Sequence, residues 1–167
     1  MDTTSYVTPF VMSVQNVFET MLQLSVQLGT PELKRSSEPC HDVSGIIAMS
    51  GDMEGSIVLS FPTGTAERVV SLFVGEELAA THEDFADAVG ELVNMVSGGA
   101  KARFEGKSVS ISCPSVVIGQ GHHVHTRKDV VQILIPCTSD VGEFAVEVAL
   151  LQSTLAGADE ASAAANA

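Results

Sequence analysis

The stretch "VSGIIAMSGDMEGSIVLSF", residues 43–61, decides the fold class. Its two halves, VSGIIAMSG and EGSIVLSF, are strand-like runs with a period of two, and the glycine-bearing SGDMEG between them reads as a hairpin connection. A hairpin makes an antiparallel pair. Downstream, "KSVSISC" (107–113) alternates cleanly, with Val109, Ile111 and Cys113 on one side and Ser108, Ser110 and Ser112 on the other. Cys113 is therefore expected to be buried, and Pro114 to limit the pairing of that strand. "VVQILIPC" (130–137) and "EFAVEVALLQ" (143–152) are two more strands, the second with Phe144, Val146, Val148 and Leu150 facing one way.

Helical periods flank these runs. Val11, Val14, Val17, Phe18, Met21, Leu22 and Leu24 form an apolar stripe that predicts a first helix from Thr8 to Gln27, stopped by Gly29 and Pro31. The polar "TPELKRSSEPCHD" (30–42) reads as a connection. "AERVVSLFVG" (66–75) predicts a short helix, capped by Thr63 or Thr65 and closed by Gly75. A third helix follows, with Thr81 as N-cap and Asp84 in the capping-box register. The sum is an α+β domain: a mostly antiparallel sheet of about five to six strands with long helices on one face. The two long helices, each flanked by strands, suggest two loosely similar halves. One domain over 1–155 is expected, followed by a disordered tail, 156–167.

Composition removes several function classes. The formal net charge is −13, with only eight Lys and Arg along the chain, so no basic surface for nucleic acid or anionic lipid is expected. No apolar run approaches the ~18 residues that span a bilayer, and the N-terminus lacks a secretory pattern. A cytoplasmic protein is the expectation. Three cysteines, Cys40, Cys113 and Cys137, with no C-x-x-C pair, suit buried reduced thiols. His122, His123 and His125 lie close together, but no second cluster of ligands stands at a recognisable interval, so they read as a polar loop rather than a metal site. No glycine-rich phosphate loop is present.

The third helix, within "DFADAVGELVNMVSGGAKARF" (84–104), carries the most information about function. At about 100° per residue, Val89, Leu92, Val93, Val96 and Ala100 share the core side. Asp87, Glu91, Asn94, Gly98 and Lys101 fall opposite. Helical glycine costs about 1 kcal/mol against alanine. Gly98 on that outward line and Gly90 at its margin are thus expected to admit another backbone, while Gly99 is expected to pack on the sheet. A polar, low face of this kind suits a macromolecular partner better than a small ligand.

"DAVGELVNMVSGGAKARF" followed by "GKSVSISCPSVVIGQG" resembles the CheX members of the CheC/CheX/FliY family, phosphatases of phosphorylated CheY-like response regulators. Asp87, Glu91, Asn94 and Pro114 match the family's motif, and the likeness extends to the first helix and the hairpin. The resemblance implies that Asn94 positions a water for hydrolysis of the receiver's aspartyl phosphate and that Glu91 pairs with the receiver's lysine. Asp87, Gly90, Gly98 and Lys101 would line the contact. No cofactor is implied in this chain; Mg²⁺ is expected in the partner receiver. The first helix has Glu19 followed by Leu22, without the Glu/Asn pair, which implies one active site per chain. A homodimer joined through sheet edges is also implied. The competing readings are a receiver-docking or flagellar-switch module that uses the same face without catalysis, and a paralogue with a decayed site.

Overall fold

The computed structural model describes residues 4–35 and 38–151. The hairpin forms as expected: β3 (Val43–Gly51) pairs antiparallel with β4 (Gly55–Phe61), from Val43 opposite Phe61 to Met49 opposite Gly55. The other strands are β1 (Gln27–Leu28), β2 (Glu32–Leu33), β5 (Val109–Ile111), β6 (Ser115–Ile118), β7 (Val130–Ser139) and β8 (Gly142–Leu151). They make one eight-stranded antiparallel sheet in the order β1-β7-β8-β4-β3-β5, with β2 also on β7 and β6 also on β3. The extra strands beyond the expected count are short pieces along the two margins. Each is too brief to leave a periodic signal.

Three helices complete the fold: α1 (Thr4–Leu22), α2 (Thr63–Val74) and α3 (Phe85–Ala102). Helices α1 and α3 pack together over the apolar face of the sheet, where Phe18 and Phe61 stack on Phe144 of β8 at 4.8 and 5.3 Å. Gly45 lets α3 settle on β3, since a side chain there would press on Val93 and Val89. Helix α1 ends five residues earlier than its apolar stripe suggests. Gln23 takes a left-handed φ of 56°, and the Leu24 N–H turns back to the Phe18 carbonyl. Leu24 and Val26 therefore reach the core from extended chain rather than from a helix.

The helix starts also differ from expectation. Neither Thr63 nor Thr65 caps α2; Thr65 is buried, and the Asp42 carboxylate accepts bonds from both the N–H and the hydroxyl of Thr63 at 3.1 Å. Such a cap comes from a distant segment and has no local signature. The closing Gly75 is as expected, left-handed at φ 83° with its N–H on the Ser71 carbonyl. Thr81 and Asp84 form no capping box: α3 begins at Phe85 after turns over 81–84, and Asp84 makes no side-chain cap. The tail expected from residue 156 lies outside the described residues.

The strand registers reveal an internal pseudo-two-fold. Leu28 meets Cys137 on β7 as Ile111 meets Met49 on β3, and Leu33 meets Ile133 as Val116 meets Gly45. One constant step along the chain relates β1 and β2 to β5 and β6. The same step carries the helix α1 onto α3 with matching buried positions: Phe10 onto Val93, Val17 onto Ala100. The axis passes where the halves meet. Ser13 of α1 donates to the carbonyl of its own counterpart, Val96 of α3, at 2.7 Å, and in the sheet Val58 of β4 lies opposite its counterpart Glu147 of β8. Each half lends its short strands to the hairpin of the other.

Candidate active site

The outward line of α3 forms because its apolar residues are drawn into the core. Val89, Leu92, Val93, Val96 and Ala100 are all buried. This leaves Asp87, Glu91 and Lys101 exposed and Asn94 and Gly98 half-buried, on the side away from the core. Glu91 and Asn94 stand one turn apart and project together. Among the described residues, the side chains of Asp87, Glu91, Asn94 and Lys101 make no hydrogen bond or ion pair with the chain itself. Polar groups so placed are free to bond to something else.

The face is not uniformly flat. Beside Glu91 lies a hollow of about 480 Å³ lined by Ala86, Asp87, Gly90, Glu91, Pro114 and Val116. Gly90 is its floor and is buried, so it does not face outward as a contact for a partner backbone. A Cβ on Gly90 would stand 3.3 Å from Pro114 Cγ; the missing side chain makes room for this chain's own proline. Gly98 does face open space: beyond its chain neighbours and the adjoining helix backbone, no atom lies within 4 Å of where a Cβ would be. Gly99 packs against helix α1 rather than the sheet: a Cβ there would collide with the Ser13 hydroxyl. Val116 and the strand β6 that carries it escaped sequence reading, because four residues after a proline give too short a run to display a period.

The cysteines and histidines occupy distinct surroundings. Cys137 belongs to the core, and burial pushes its thiol up to about 12. Cys40 is buried and Cys113 is exposed; all three are free. The exposure of Cys113 corrects the alternation argument: β5 stops at Ile111, so the period no longer applies two residues on. His122 is held by the fold at both ring nitrogens. Its Nε2 bonds to Ser44 Oγ at 2.8 Å and its Nδ1 to the Gly119 carbonyl at 2.7 Å, which ties the loop to the sheet. No group of three or more His, Cys, Asp or Glu among the described residues is placed to hold a metal ion. No helix there is long and apolar enough to cross a membrane.

These features define a class: an α+β protein of two fused helix-and-hairpin halves, with one half carrying an unpaired acid and carboxamide on an exposed helix. The family model described as "Chemotaxis phosphatase CheX" matches residues 43–138. A curated relative, the CheY-P phosphatase CheX of Thermotoga maritima, is 33% identical over 117 residues, covering 68% of this chain and 76% of the relative. A crystal structure of a chemotaxis protein CheX from Desulfovibrio desulfuricans superposes with a TM-score of 0.80 at 34% identity, covering 87% of this chain and 99% of that one. A complex of CheX with CheY, BeF3 and Mg²⁺ from Borrelia burgdorferi shares the fold, with a TM-score of 0.74 at 24% identity, over 87% of this chain and 97% of its own. The chain belongs to the CheX family of chemotaxis phosphatases.

Proposed function

We propose that this protein hydrolyses the aspartyl phosphate of a CheY-like receiver domain, and that Asn94 and Glu91 carry the work. The observation that supports this most is the pair itself: an acid and a carboxamide one helical turn apart, outward, unpaired, beside the Pro114 hollow. The curated relative from Thermotoga maritima is named as a phosphatase of phosphorylated CheY. A side-chain amide both donates and accepts, so Asn94 can hold a water in line with the departing aspartyl oxygen without changing its protonation state. Catalysis is then positioning, with charge on the phosphoryl oxygens offset by the receiver's own metal ion and lysine. Glu91 pairs with that lysine and sets the register that inserts Asn94. Asp87 and Lys101 add contacts along the same line, and Gly98 lets the receiver's backbone come close. No covalent intermediate forms on this chain.

The test is phosphate release from a phosphorylated receiver. Asn94→Ala is expected to lower stimulated turnover by about 10²–10³-fold, the scale of losing one oriented hydrogen-bonding group in a preorganised site, while receiver binding persists. Loss of binding together with activity assigns Asn94 to docking or folding instead. The family resemblance also supports a cytoplasmic homodimer joined through sheet edges. Light scattering on the purified chain tests the dimer, and a monomer at working concentrations refutes it.

A further inference from the structure

Glu147 lies in the middle of β8 between the core residues Val146 and Val148, so strand alternation turns it to the sheet face away from the helices. There its Oε2 accepts from Lys34 Nζ at 2.7 Å, and both side chains are 4% exposed. The same Nζ stands 3.4 Å from Cys40 Sγ. A buried ion pair is weak evidence for stability, because desolvation offsets much of its attraction. The phosphatase reading uses none of these three groups. Cys40, though buried, is not a member of the apolar core that holds Cys137. A hollow of about 240 Å³ reaches the cluster, with Lys34, Cys40, His41, Glu143 and Glu147 on its walls. It has room for a small oxidant. Thiols beside cations, where small molecules have access, are the ones that oxidants attack, and a sulfenic acid condenses with nitrogen as well as with a thiol.

We propose that Cys40 and Lys34 join through a reversible sulfur–nitrogen bond when the protein meets a hydroperoxide, with Glu147 accepting the proton. Cys40 Sγ attacks the peroxide, the O–O bond breaks, and the thiol proton leaves with the departing oxygen as water or alcohol. Sulfur is oxidised to the sulfenic acid and the peroxide is reduced. Lys34 passes one proton to Glu147, and the amine lone pair of Nζ attacks Sγ. The S–N bond forms, the S–OH bond breaks, and the second nitrogen proton leaves with the hydroxide as water. A thiol reductant returns the free cysteine and the amine. The link ties Lys34 to Cys40 and spares Cys40 from further oxidation.

The experiment treats the full-length protein with hydrogen peroxide near neutral pH and maps it by intact and peptide mass spectrometry. The expected product is two hydrogens lighter, resists trypsin at Lys34, blocks alkylation at Cys40, and reverts with dithiothreitol. Lys34→Arg keeps a cation beside Glu147 but is expected to abolish the link and leave Cys40 progressing to the sulfinic acid. Two results overturn the proposal. One is a Cys40 that stays a free thiol in wild-type protein while the exposed Cys113 is consumed. The other is sulfinic acid appearing at Cys40 at equal rates in wild type and Lys34→Arg. The wild-type measurement stands alone should the variant fail to fold.

Discussion

Adjacent glycines on α3 should respond to alanine with opposite signs. At Gly98 the Cβ position is open, with nothing beyond its chain neighbours and the adjoining helix backbone within 4 Å, so Gly98→Ala keeps the helical propensity gain of about 1 kcal/mol. For a domain of this size that raises Tm by about 2–4 °C. At Gly99 the added Cβ would collide with the Ser13 hydroxyl, whose buried bond to the Val96 carbonyl joins the two long helices. Turning Ser13 away breaks that bond and leaves buried polar atoms unpaired, at about 1–3 kcal/mol. The propensity gain offsets only part of this, so Gly99→Ala is expected to lower Tm. Activity separates the pair again. The Gly98 methyl stands on the ridge where we place the receiver's backbone, so Gly98→Ala should raise KM for the phosphorylated receiver several-fold while the protein itself is more stable. Calorimetry together with steady-state phosphate release reads both effects. A Gly98→Ala protein that is more stable and fully active refutes the close approach of a partner; one that is less stable refutes the open surroundings of Gly98.

Three further outcomes are expected. Glu91→Lys sets like charges face to face with the receiver's lysine and should weaken complex formation measured by titration calorimetry; unchanged affinity refutes that pairing. Asp42→Ala removes the acceptor for the Thr63 N–H and hydroxyl and should cost about 1 kcal/mol in urea unfolding; no loss would mean that water replaces the cap. Burial raises the Cys137 thiol from its ordinary 9.0 to about 12. Its protonated form is the one the fold favours, so this contribution is complete below pH 9.0 and is lost as pH climbs towards about 12. Comparing wild type with Cys137→Ala across that window tests the sign.

What sequence reading could and could not reach follows from the range of the interactions. The hairpin, the strands β7 and β8 and the outward face of α3 were legible because each rests on a local period that burial on one side enforces. The start of α2 was not, since its cap is Asp42, a residue brought there by the sheet. The end of α1 was misplaced because Leu24 and Val26 are as apolar and as buried as helical residues would be, though they sit on extended chain. Glu91 and Asn94 were placed on the surface by periodicity alone, whereas the seating of Pro114 over Gly90 depends on a tertiary contact and could be expected only through the family motif. The pseudo-two-fold is visible in strand registers rather than in residue identities. Thr8 and Val11 stand where Glu91 and Asn94 stand in the other half, and Pro31 where Pro114 stands. The apolar hollow of about 330 Å³ around Thr8, Val11 and Pro31 is thus the counterpart of the candidate active site, without its acid and amide.

The exchange of short strands between the halves has a mechanical result. Strands β1 and β2 bond to β7, and β5 and β6 bond to β3, so neither half keeps a complete sheet margin when separated from the other. Cutting the exposed segment at Glu76 and Glu77, between α2 and α3, severs the backbone without removing a single rung of either ladder. The two fragments should therefore find each other in solution as an obligate pair, and the phosphatase could be run as a split enzyme whose output reports whether its pieces have met.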